Sequence, residues 1–153
     1  MEKILMKLQE AEVGKVVQNE PLAKHTTIKI GGPAEIFVEP SSIEDLKKTM
    51  DTVTESGVPW RAIGRGSNLL VGDSGIKGVV IKLGKGLDQL DVDGDTITAG
   101  GGYSLIKLTT VISKQGLSGL QFAGGIPGSV GGAVYMNAGA HGSDMSKILV
   151  KAH

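Results

Sequence analysis

The stretch GRGSNLL at positions 64–70 follows the short apolar run Trp60–Ile63, and this order predicts a strand that leads directly into a glycine turn. Glycines at its first and third positions would let consecutive backbone N–H groups converge on one point, which is one way to bind an anion. The Ser-Asn pair that follows adds uncharged side-chain donors. The stretch therefore predicts a phosphate-binding loop, and the alternative is a plain tight turn between two buried strands.

Two familiar nucleotide-binding patterns do not fit this stretch. The dinucleotide fingerprint G-x-G-x-x-G requires a third glycine, where this chain has Leu69, and then a helix, where residues 71–75 read VGDSG. A P-loop requires a Gly-Lys-Ser/Thr triplet, and the chain contains none. A phosphate would therefore be bound by backbone N–H groups rather than through either motif.

A second glycine-rich loop is predicted at 124–140, and its densest part reads GGIPGSVGGA at 124–133. Each glycine costs about 0.5–1 kcal/mol relative to alanine in regular structure, so such a run is expected where something flat or bulky lies against the backbone. Pro127 makes the segment rigid, which argues against a flexible linker. Two such loops in one short chain predict a site for a phosphorylated nucleotide cofactor.

The composition excludes several other classes of function. The chain has 153 residues, no cysteine, and a formal net charge of zero from 16 basic and 16 acidic side chains. A nucleic-acid binder would show a basic excess, and a disulfide scaffold or a thiolate metal site needs cysteine. Charges interrupt every apolar run near the N-terminus, so neither a signal peptide nor a membrane span is expected. We therefore expect a soluble, cytoplasmic protein without nucleic-acid, membrane or metal partners.

Hydrophobic patterning alternates between helix and strand, which predicts an α/β or α+β domain made of two lobes. The clearest helix begins at a capping box formed by Ser41 and Glu44 and ends at Gly57. Residues 148–153 are expected to open a further strand, so that the chain would stop in the middle of a fold. The other predicted elements are helices at 2–10 and 104–115, strands at 34–39, 60–63, 79–83, 87–92 and 96–99 with an Asp93-Gly94 turn, and a loop at 20–32.

Three separated motifs resemble one known family. They read HTTIKIGGPA at 25–34, GRGSNLL at 64–70 and GIPGSVGGA at 125–133. In this order and at this spacing they are similar to the UDP-N-acetylenolpyruvoylglucosamine reductases (UDP-N-acetylmuramate dehydrogenases) of peptidoglycan synthesis. The resemblance runs from about residue 20 to the last residue.

The resemblance implies an α+β fold of the vanillyl-alcohol-oxidase (PCMH) type, with FAD between two small subdomains at about 20–83 and 84–153 and a lead-in at 1–19. By analogy the first loop would embrace the FAD diphosphate, and the second would run beside the flavin and its ribityl chain. FAD is expected to be non-covalent, because the first loop contains no histidine. The implied cofactor-binding residues are Gly64, Arg65, Gly66, Ser67, Asn68, Leu69, Gly124, Gly125, Ile126, Pro127, Gly128, Ser129, Gly131, Gly132, Ala133, Asn137 and Gly139.

The family reaction uses NADPH to reduce FAD and then reduces the enolpyruvyl group of a nucleotide sugar, giving UDP-N-acetylmuramate. The family's proton-donating serine, its glutamate and its Tyr-Arg pair would lie beyond His153, and no Tyr-Arg dipeptide occurs here. The resemblance therefore implies a cofactor half without catalytic residues, which would be inactive by itself. The alternative is a stand-alone nucleotide-binding module that turns nothing over.

Several other residues are discounted or left open. His25 and His141 have no carboxylate or second histidine at ligand-like spacing, so each is expected to be exposed or locally hydrogen-bonded. The acidic residues around Asp93 are explained by the hairpin turn rather than by a calcium loop. Arg65 could pair with a phosphate or be a solvated loop charge. Tyr103 could pack near the cofactor or only anchor its helix.

Overall fold

The computed structural model describes every residue from Met1 to His153. The helices are α1 (Glu2–Glu10), α2 (Ile43–Ser56), α3 (Leu105–Lys114) and α4 (Val130–Tyr135). The strands are β1 (Gly14–Pro21), β2 (Pro33–Pro40), β3 (Trp60–Ile63), β4 (Ile76–Lys82), β5 (Leu90–Asp93), β6 (Thr96–Ala99), β7 (Gly139–Ala140) and β8 (Ser143–Asp144). Short 3-10 turns cover Leu22–His25, Lys85–Leu87, Gln121–Ala123 and Met145–Lys147.

A four-stranded sheet with the order β1-β2-β4-β3 forms the first part of the molecule. β1 is antiparallel to β2, whereas β2, β4 and β3 are parallel to one another. Parallel neighbours need a crossover connection, and α2 supplies it between β2 and β3. β3 reaches β4 through residues 64–75, which contain no helix. The first glycine loop therefore lies at the carboxyl ends of the parallel strands, where open α/β sheets usually bind ligands.

Both faces of this sheet are buried, and successive strand side chains point to opposite faces, so they contribute to two hydrophobic clusters. Ile36 and Val38 of β2 face the same way as Val79 and Ile81 of β4, and α1 and α2 cover them. The intervening side chains point to the opposite face, where a second cluster forms around a fully buried Phe37. That cluster contains Leu22, Ala34, Phe37, Ile63, Val71 and Val80.

A separate core lies in the second part of the chain. It is centred on the buried face of α3, with Leu105, Leu108 and Ile112, and on Phe122 of the following turn. The β5–β6 hairpin contributes partly buried side chains such as Leu90 and Ile97. No helix of the molecule has the length and apolar character needed to cross a membrane.

The predicted helices at 2–10 and 104–115 and the strands at 34–39 and 60–63 are confirmed to within two residues at each end. The predicted capping box at Ser41 and Glu44 is wrong by one position. Ser42 is the N-cap, and its Oγ accepts a hydrogen bond from the backbone N–H of Asp45 at 3.0 Å. Gly57 ends the helix in the left-handed conformation, as predicted (φ 64°).

Four other predictions also differ from the structure, and one is the strand at 79–83, since β4 begins at Ile76 and ends at Lys82. The expected loop at 20–32 is partly ordered, because β1 runs to Pro21 and a 3-10 turn follows. The hairpin strand begins at Leu90 rather than Leu87, and its turn residues are Gly94 and Asp95 because Asp93 pairs with Thr96. Residues 148–153 form no strand, since no neighbouring strand pairs with them.

The largest correction concerns the second glycine loop, which is irregular only in its first part. From Val130 to Tyr135 the chain forms α4, so that Gly131, Gly132 and Ala133 are helical rather than loop residues. Ser129 caps this helix, and its Oγ accepts from the N–H of Gly132 at 3.3 Å. Two helical glycines cost roughly 1 kcal/mol each relative to alanine. The burial of Ala133 in the core around α3 and Phe122 offsets part of this cost.

Candidate functional site

The two glycine loops meet in the folded chain. The Oγ of Ser67 donates a hydrogen bond to the carbonyl oxygen of Pro127 at 3.2 Å, across 60 positions of sequence. A Cβ on Gly64 would collide with the Oγ of Ser129, which is 2% exposed. The fold therefore joins the carboxyl end of β3 to the start of α4, so the loops form one site rather than two.

The backbone N–H groups of the first loop are available to a ligand. From Gly64 through Asn68, none of them donates a hydrogen bond within the protein. In the second loop the N–H groups of Gly125, Gly128 and Ser129 are also without a protein acceptor. Arg65, Asn68 and Gly125 are exposed, but the other residues of this set are buried or half-buried. Buried N–H groups rarely stay unpaired, so these donors are expected where an anion or water accepts from them.

A neighbouring segment holds the turn of the first loop in place. Gly66 has a φ of +72°, and a Cβ there would collide with the carbonyl oxygen of His25. The N–H of Thr27 donates to the carbonyl oxygen of Gly66 at 3.0 Å. Glycine is thus required at position 66 both for its left-handed backbone and for the close approach of residues 25–27.

The second loop is anchored to the turn that precedes α3. The N–H of Leu105 donates to the carbonyl oxygen of Gly128 at 3.1 Å, and the N–H of Val130 donates to that of Tyr103 at 2.8 Å. Gly131 donates to the carbonyl oxygen of Gly101 at 2.9 Å. The sequence contained a signal for this anchor, the Gly100-Gly101-Gly102 triplet, but pattern alone did not show what it would contact.

A cleft of about 340 Å³ lies beside the joined loops, at the carboxyl ends of β2 and β4. Arg65 of the first loop lines this cleft and is at the same time exposed to solvent. Tyr103 also lines it, with the Nζ of Lys107 5.5 Å from its ring centre. Its charged lining residues are Arg65, Lys82, Lys85 and Lys107, with Glu39 and Asp88.

His25 is not exposed, contrary to one of the two expectations for it. Its side chain is 8% exposed and stacks on Phe37 with ring centres 4.3 Å apart. Nε2 lies 3.0 Å from Oε1 of Glu20, and Nδ1 lies 3.0 Å from Nζ of Lys82. A lysine ammonium can only donate, so Nδ1 is the acceptor and Nε2 carries the proton that is donated to Glu20.

Glu20 is a buried carboxylate with three basic neighbours. The hydrogen bond with His25 is the largest cause that holds the pKa of Glu20 below its usual value of 4.5. A hydrogen bond from Lys15 and the charges of Lys15 and Lys24 lower the pKa further, while burial opposes them. Glu20 therefore stays ionised and fixes the orientation of the imidazole.

The remaining predicted site residues differ in how they could contribute. Arg65 and Asn68 have exposed side chains, and Gly124 and Gly125 are exposed. The side chain of Ala133 is buried in a hydrophobic core, and those of Leu69 and Ile126 are partly buried against the cores.

Asn137 and Gly139 lie beyond α4, and both contact the segment that follows them. The Oδ1 of Asn137 accepts from the N–H of Ser146 at 2.9 Å, and Gly139 pairs with Asp144 in the β7–β8 hairpin. His141 is exposed at the tip of that hairpin. A larger cavity of about 620 Å³ lies at the amino ends of β3 and β4, the end of the sheet opposite to the glycine loops.

Comparison with known proteins identifies the class of this site. Residues 34–152 match the protein family described as the FAD binding domain. Since these residues make up more than half of the chain, the chain belongs to the FAD-binding domain family.

Curated relatives agree with the resemblance drawn from the three motifs. The chain is 71% identical over 152 residues to the UDP-N-acetylenolpyruvoylglucosamine reductase of Anoxybacillus flavithermus (strain DSM 21510 / WK1), covering 99% of this chain and 50% of that protein. It is 67% identical over 153 residues to the reductase of the same name from Bacillus subtilis (strain 168), covering 100% and 50%. The chain thus spans about half the length of the curated relatives it matches.

Solved structures agree on the fold. A crystal structure of UDP-N-acetylenolpyruvylglucosamine reductase from Thermus caldophilus is 38% identical with a TM-score of 0.64, covering 87% of this chain and 45% of that one. Berberine bridge enzyme from Eschscholzia californica matches with a TM-score of 0.53 over 73% of this chain and 26% of that one. At 16% identity it shows the fold alone. The predicted α+β fold of the vanillyl-alcohol-oxidase type is confirmed.

The residues present fit FAD. Its diphosphate requires several donors, and the N–H groups from Gly64 to Asn68 have no acceptor within the protein. Its flat ring system requires backbone that carries no obstructing side chains, and the exposed glycines at 124 and 125 meet that requirement. FAD is accordingly the cofactor of this domain. Which of the predicted residues contact it remains a prediction.

Proposed function

We propose that this chain is the FAD-binding part of an NADPH-dependent flavin oxidoreductase, UDP-N-acetylmuramate dehydrogenase. The whole enzyme would reduce enolpyruvyl-UDP-GlcNAc to UDP-N-acetylmuramate for peptidoglycan synthesis in the cytoplasm. The meeting of the two glycine loops in one site with unpartnered N–H groups carries the proposal. The identity of 67–71% to reductases of that name supports the assignment of substrate and reductant.

FAD supplies, when bound, hydride chemistry that no side chain can perform. The role proposed for this chain is to bind and orient that group. The first loop would hold the diphosphate through its backbone N–H groups and through Ser67 and Asn68. The second loop, from Gly124 to Ser129, would present a surface without large side chains to the flavin and its ribityl chain. No residue of this chain is proposed to donate the proton that completes the reduction.

The proposed division of the chain follows the same reasoning. Residues 20–83 and 84–153 would be the two subdomains, with the cofactor between them and residues 1–19 as a lead-in. The separate hydrophobic clusters of the two parts support this boundary. Ile4 and Leu8 of α1 pack into the cluster that also contains Ile36 and Val38 of β2. The lead-in would therefore be attached to the first subdomain.

The decisive experiment separates cofactor binding from turnover. The 153-residue chain is purified, its flavin absorbance is recorded, and FAD affinity is measured by the quenching of flavin fluorescence. NADPH oxidation is then followed with and without enolpyruvyl-UDP-GlcNAc. We expect FAD binding without substrate-dependent NADPH oxidation, because the acid and the carboxylate-binding residues would lie outside this chain.

A matched control is the chain extended by the equivalent of the second half of its relatives, for which turnover is expected. Turnover by the 153-residue chain itself would contradict the proposed placement of the chemistry. A chain that binds no FAD would contradict the assigned role of the two loops.

A stand-alone FAD-binding module is the second candidate function. The match of residues 34–152 to a family described only as the FAD binding domain is compatible with this function. If the extended chain also binds FAD but does not oxidise NADPH with the enolpyruvyl substrate, the module becomes the better description.

A further inference from the structure

The cleft beside the joined loops has an excess of unpaired positive charge, although the chain as a whole is neutral. Four basic and two acidic side chains line the cleft, which gives it a formal charge of +2. Ion pairs within 4.0 Å involve Glu20 and Asp45, and none of them includes a cation of the cleft. Cations that converge on a concave surface without acidic partners raise the local concentration of anions.

Lys82 differs from the other cations of the cleft because a buried acceptor fixes its ammonium group. It is the last residue of β4 and pairs in register with Ile63, the residue before the first loop. Its Nζ lies 3.0 Å from Nδ1 of His25, across 57 positions of sequence. A lysine held in this way loses less rotamer entropy when a ligand binds than a free surface lysine does.

His25 is connected to the loop as well as to Lys82. Its carbonyl oxygen lies against Gly66, and its imidazole is held between Glu20 on Nε2 and Phe37 on its face. The same residue therefore supports the turn that offers N–H groups and the lysine that offers a charge. The side chains of both His25 and Glu20 are more than nine-tenths buried, so the surrounding protein fixes their positions.

We propose that Lys82 is a further cofactor-binding residue, which the Glu20–His25 pair positions so that its ammonium group faces the diphosphate of FAD beside Arg65. The inference rests on the FAD binding proposed above and adds an electrostatic component to it. Lys82 binds, whereas His25 and Glu20 are positioning residues. Lys82 lies outside all three motifs, and His25 opens the motif at 25–34 but lies outside both glycine loops. No sequence pattern distinguishes Lys82 from other strand-end lysines.

The test measures FAD affinity of the 153-residue chain and of three variants by quenching of flavin fluorescence. Lys82→Met should weaken FAD binding about tenfold, the usual size of a charge-assisted contact to phosphate, while Lys82→Arg should retain affinity within about threefold. Lys77→Met is the matched control, because Lys77 lies on the same strand at the opposite end of the sheet. It should bind FAD within about twofold of the wild type.

A double-mutant cycle tests the positioning role. His25→Phe keeps a ring over Phe37 but removes the acceptor, so it should weaken FAD binding about threefold to tenfold. Combined with Lys82→Met it should cause no loss beyond that of Lys82→Met alone, because His25 acts through Lys82. Long-range proton–nitrogen NMR of the wild type should show Nδ1 of His25 unprotonated and Nε2 protonated, whether or not FAD is present. This signature keeps the test valid if His25→Phe fails to fold.

Several outcomes would overturn the proposal. The first two are an unchanged FAD affinity of Lys82→Met and a loss of FAD affinity in Lys77→Met as large as that in Lys82→Met. The others are additive losses of affinity in the double variant of His25 and Lys82, and a protonated Nδ1 of His25 in the wild type. If Lys82→Met lost affinity for UDP but not for FAD, the cleft would serve the nucleotide sugar instead and the proposal would be wrong. A wild-type chain without FAD affinity would contradict the proposed function as well, whereas the other outcomes contradict only the role of Lys82.

Discussion

Ser129 lies so close to the Cα of Gly64 that a methyl group on Gly64 would collide with the hydroxyl oxygen of Ser129. This contact joins the loop after β3 to the cap of α4. It also makes the two residues interdependent, since each limits the size of the other.

Gly64→Ala should lower the free energy of unfolding by about 1–3 kcal/mol through overpacking. Ser129→Ala should cost about 1 kcal/mol by removing the cap of α4. The double variant should lose less than the two single losses together, because the Ser129 Cβ lies 3.5 Å from the position of the added methyl, an ordinary contact. Urea unfolding followed by circular dichroism measures all three, and strict additivity would show that the two residues do not touch.

Gly66→Ala should be more damaging than Gly57→Ala, although both glycines have a left-handed backbone (φ 72° and 64°). A Cβ at Gly57 meets nothing within 4 Å, so only the backbone cost of about 1–2 kcal/mol applies there. At Gly66 the added atom also collides with the carbonyl oxygen of His25, which adds roughly 1–3 kcal/mol. Gly66→Ala should weaken FAD binding and Gly57→Ala should not, and equal effects on affinity would argue against the proposed role of the first loop.

Leu8→Ala should destabilise the chain by about 2–5 kcal/mol, because Leu8 of α1 is fully buried in the core between the four-stranded sheet and α1 and α2. Met6→Ala on the exposed side of the same helix is the control and should change stability by at most about 0.5 kcal/mol. Chemical unfolding at neutral pH measures both. If Leu8→Ala were as mild as the control, α1 would be a detachable lead-in rather than part of the first subdomain.

The acid sensitivity of the fold should depend on Glu20. Its pKa is lower in the folded chain than the usual 4.5, chiefly through the hydrogen bond with His25. A carboxyl group with a depressed folded-state pKa stabilises the fold above its unfolded pKa and loses that contribution as the pH falls through the folded value. Glu20→Gln should therefore be less stable than the wild type at pH 7, and the difference should shrink below about pH 4.5.

Unfolding free energies measured between pH 7 and pH 3 would check this dependence. Glu55→Gln is the control, because Glu55 is exposed on α2 and forms no ion pair. Its stability should follow that of the wild type across the whole range. A difference for Glu20→Gln that did not change with pH would show that the carboxylate is not stabilised by its neighbours.

Local patterns predicted the elements well where one residue type decides the backbone. Gly57 ends α2 because only a residue tolerant of left-handed φ continues the chain there. Predictions were wrong where two adjacent residues could play the same role, as with the Ser41-Ser42 pair, because neighbouring packing selects the cap. α4 was missed since five glycines and a proline in its vicinity outweighed the apolar contacts that stabilise it.

The sequence by itself determined the glycine turns, because these depend on which backbone conformations each residue allows. Through three motifs it also showed the family resemblance, and that resemblance implied FAD. Only the tertiary structure decided that Ser67 meets Pro127 and that His25 is buried between Glu20 and Lys82. These are contacts between residues distant in sequence or choices among local partners. They follow from how the sheet and the second core pack together, which no local pattern encodes.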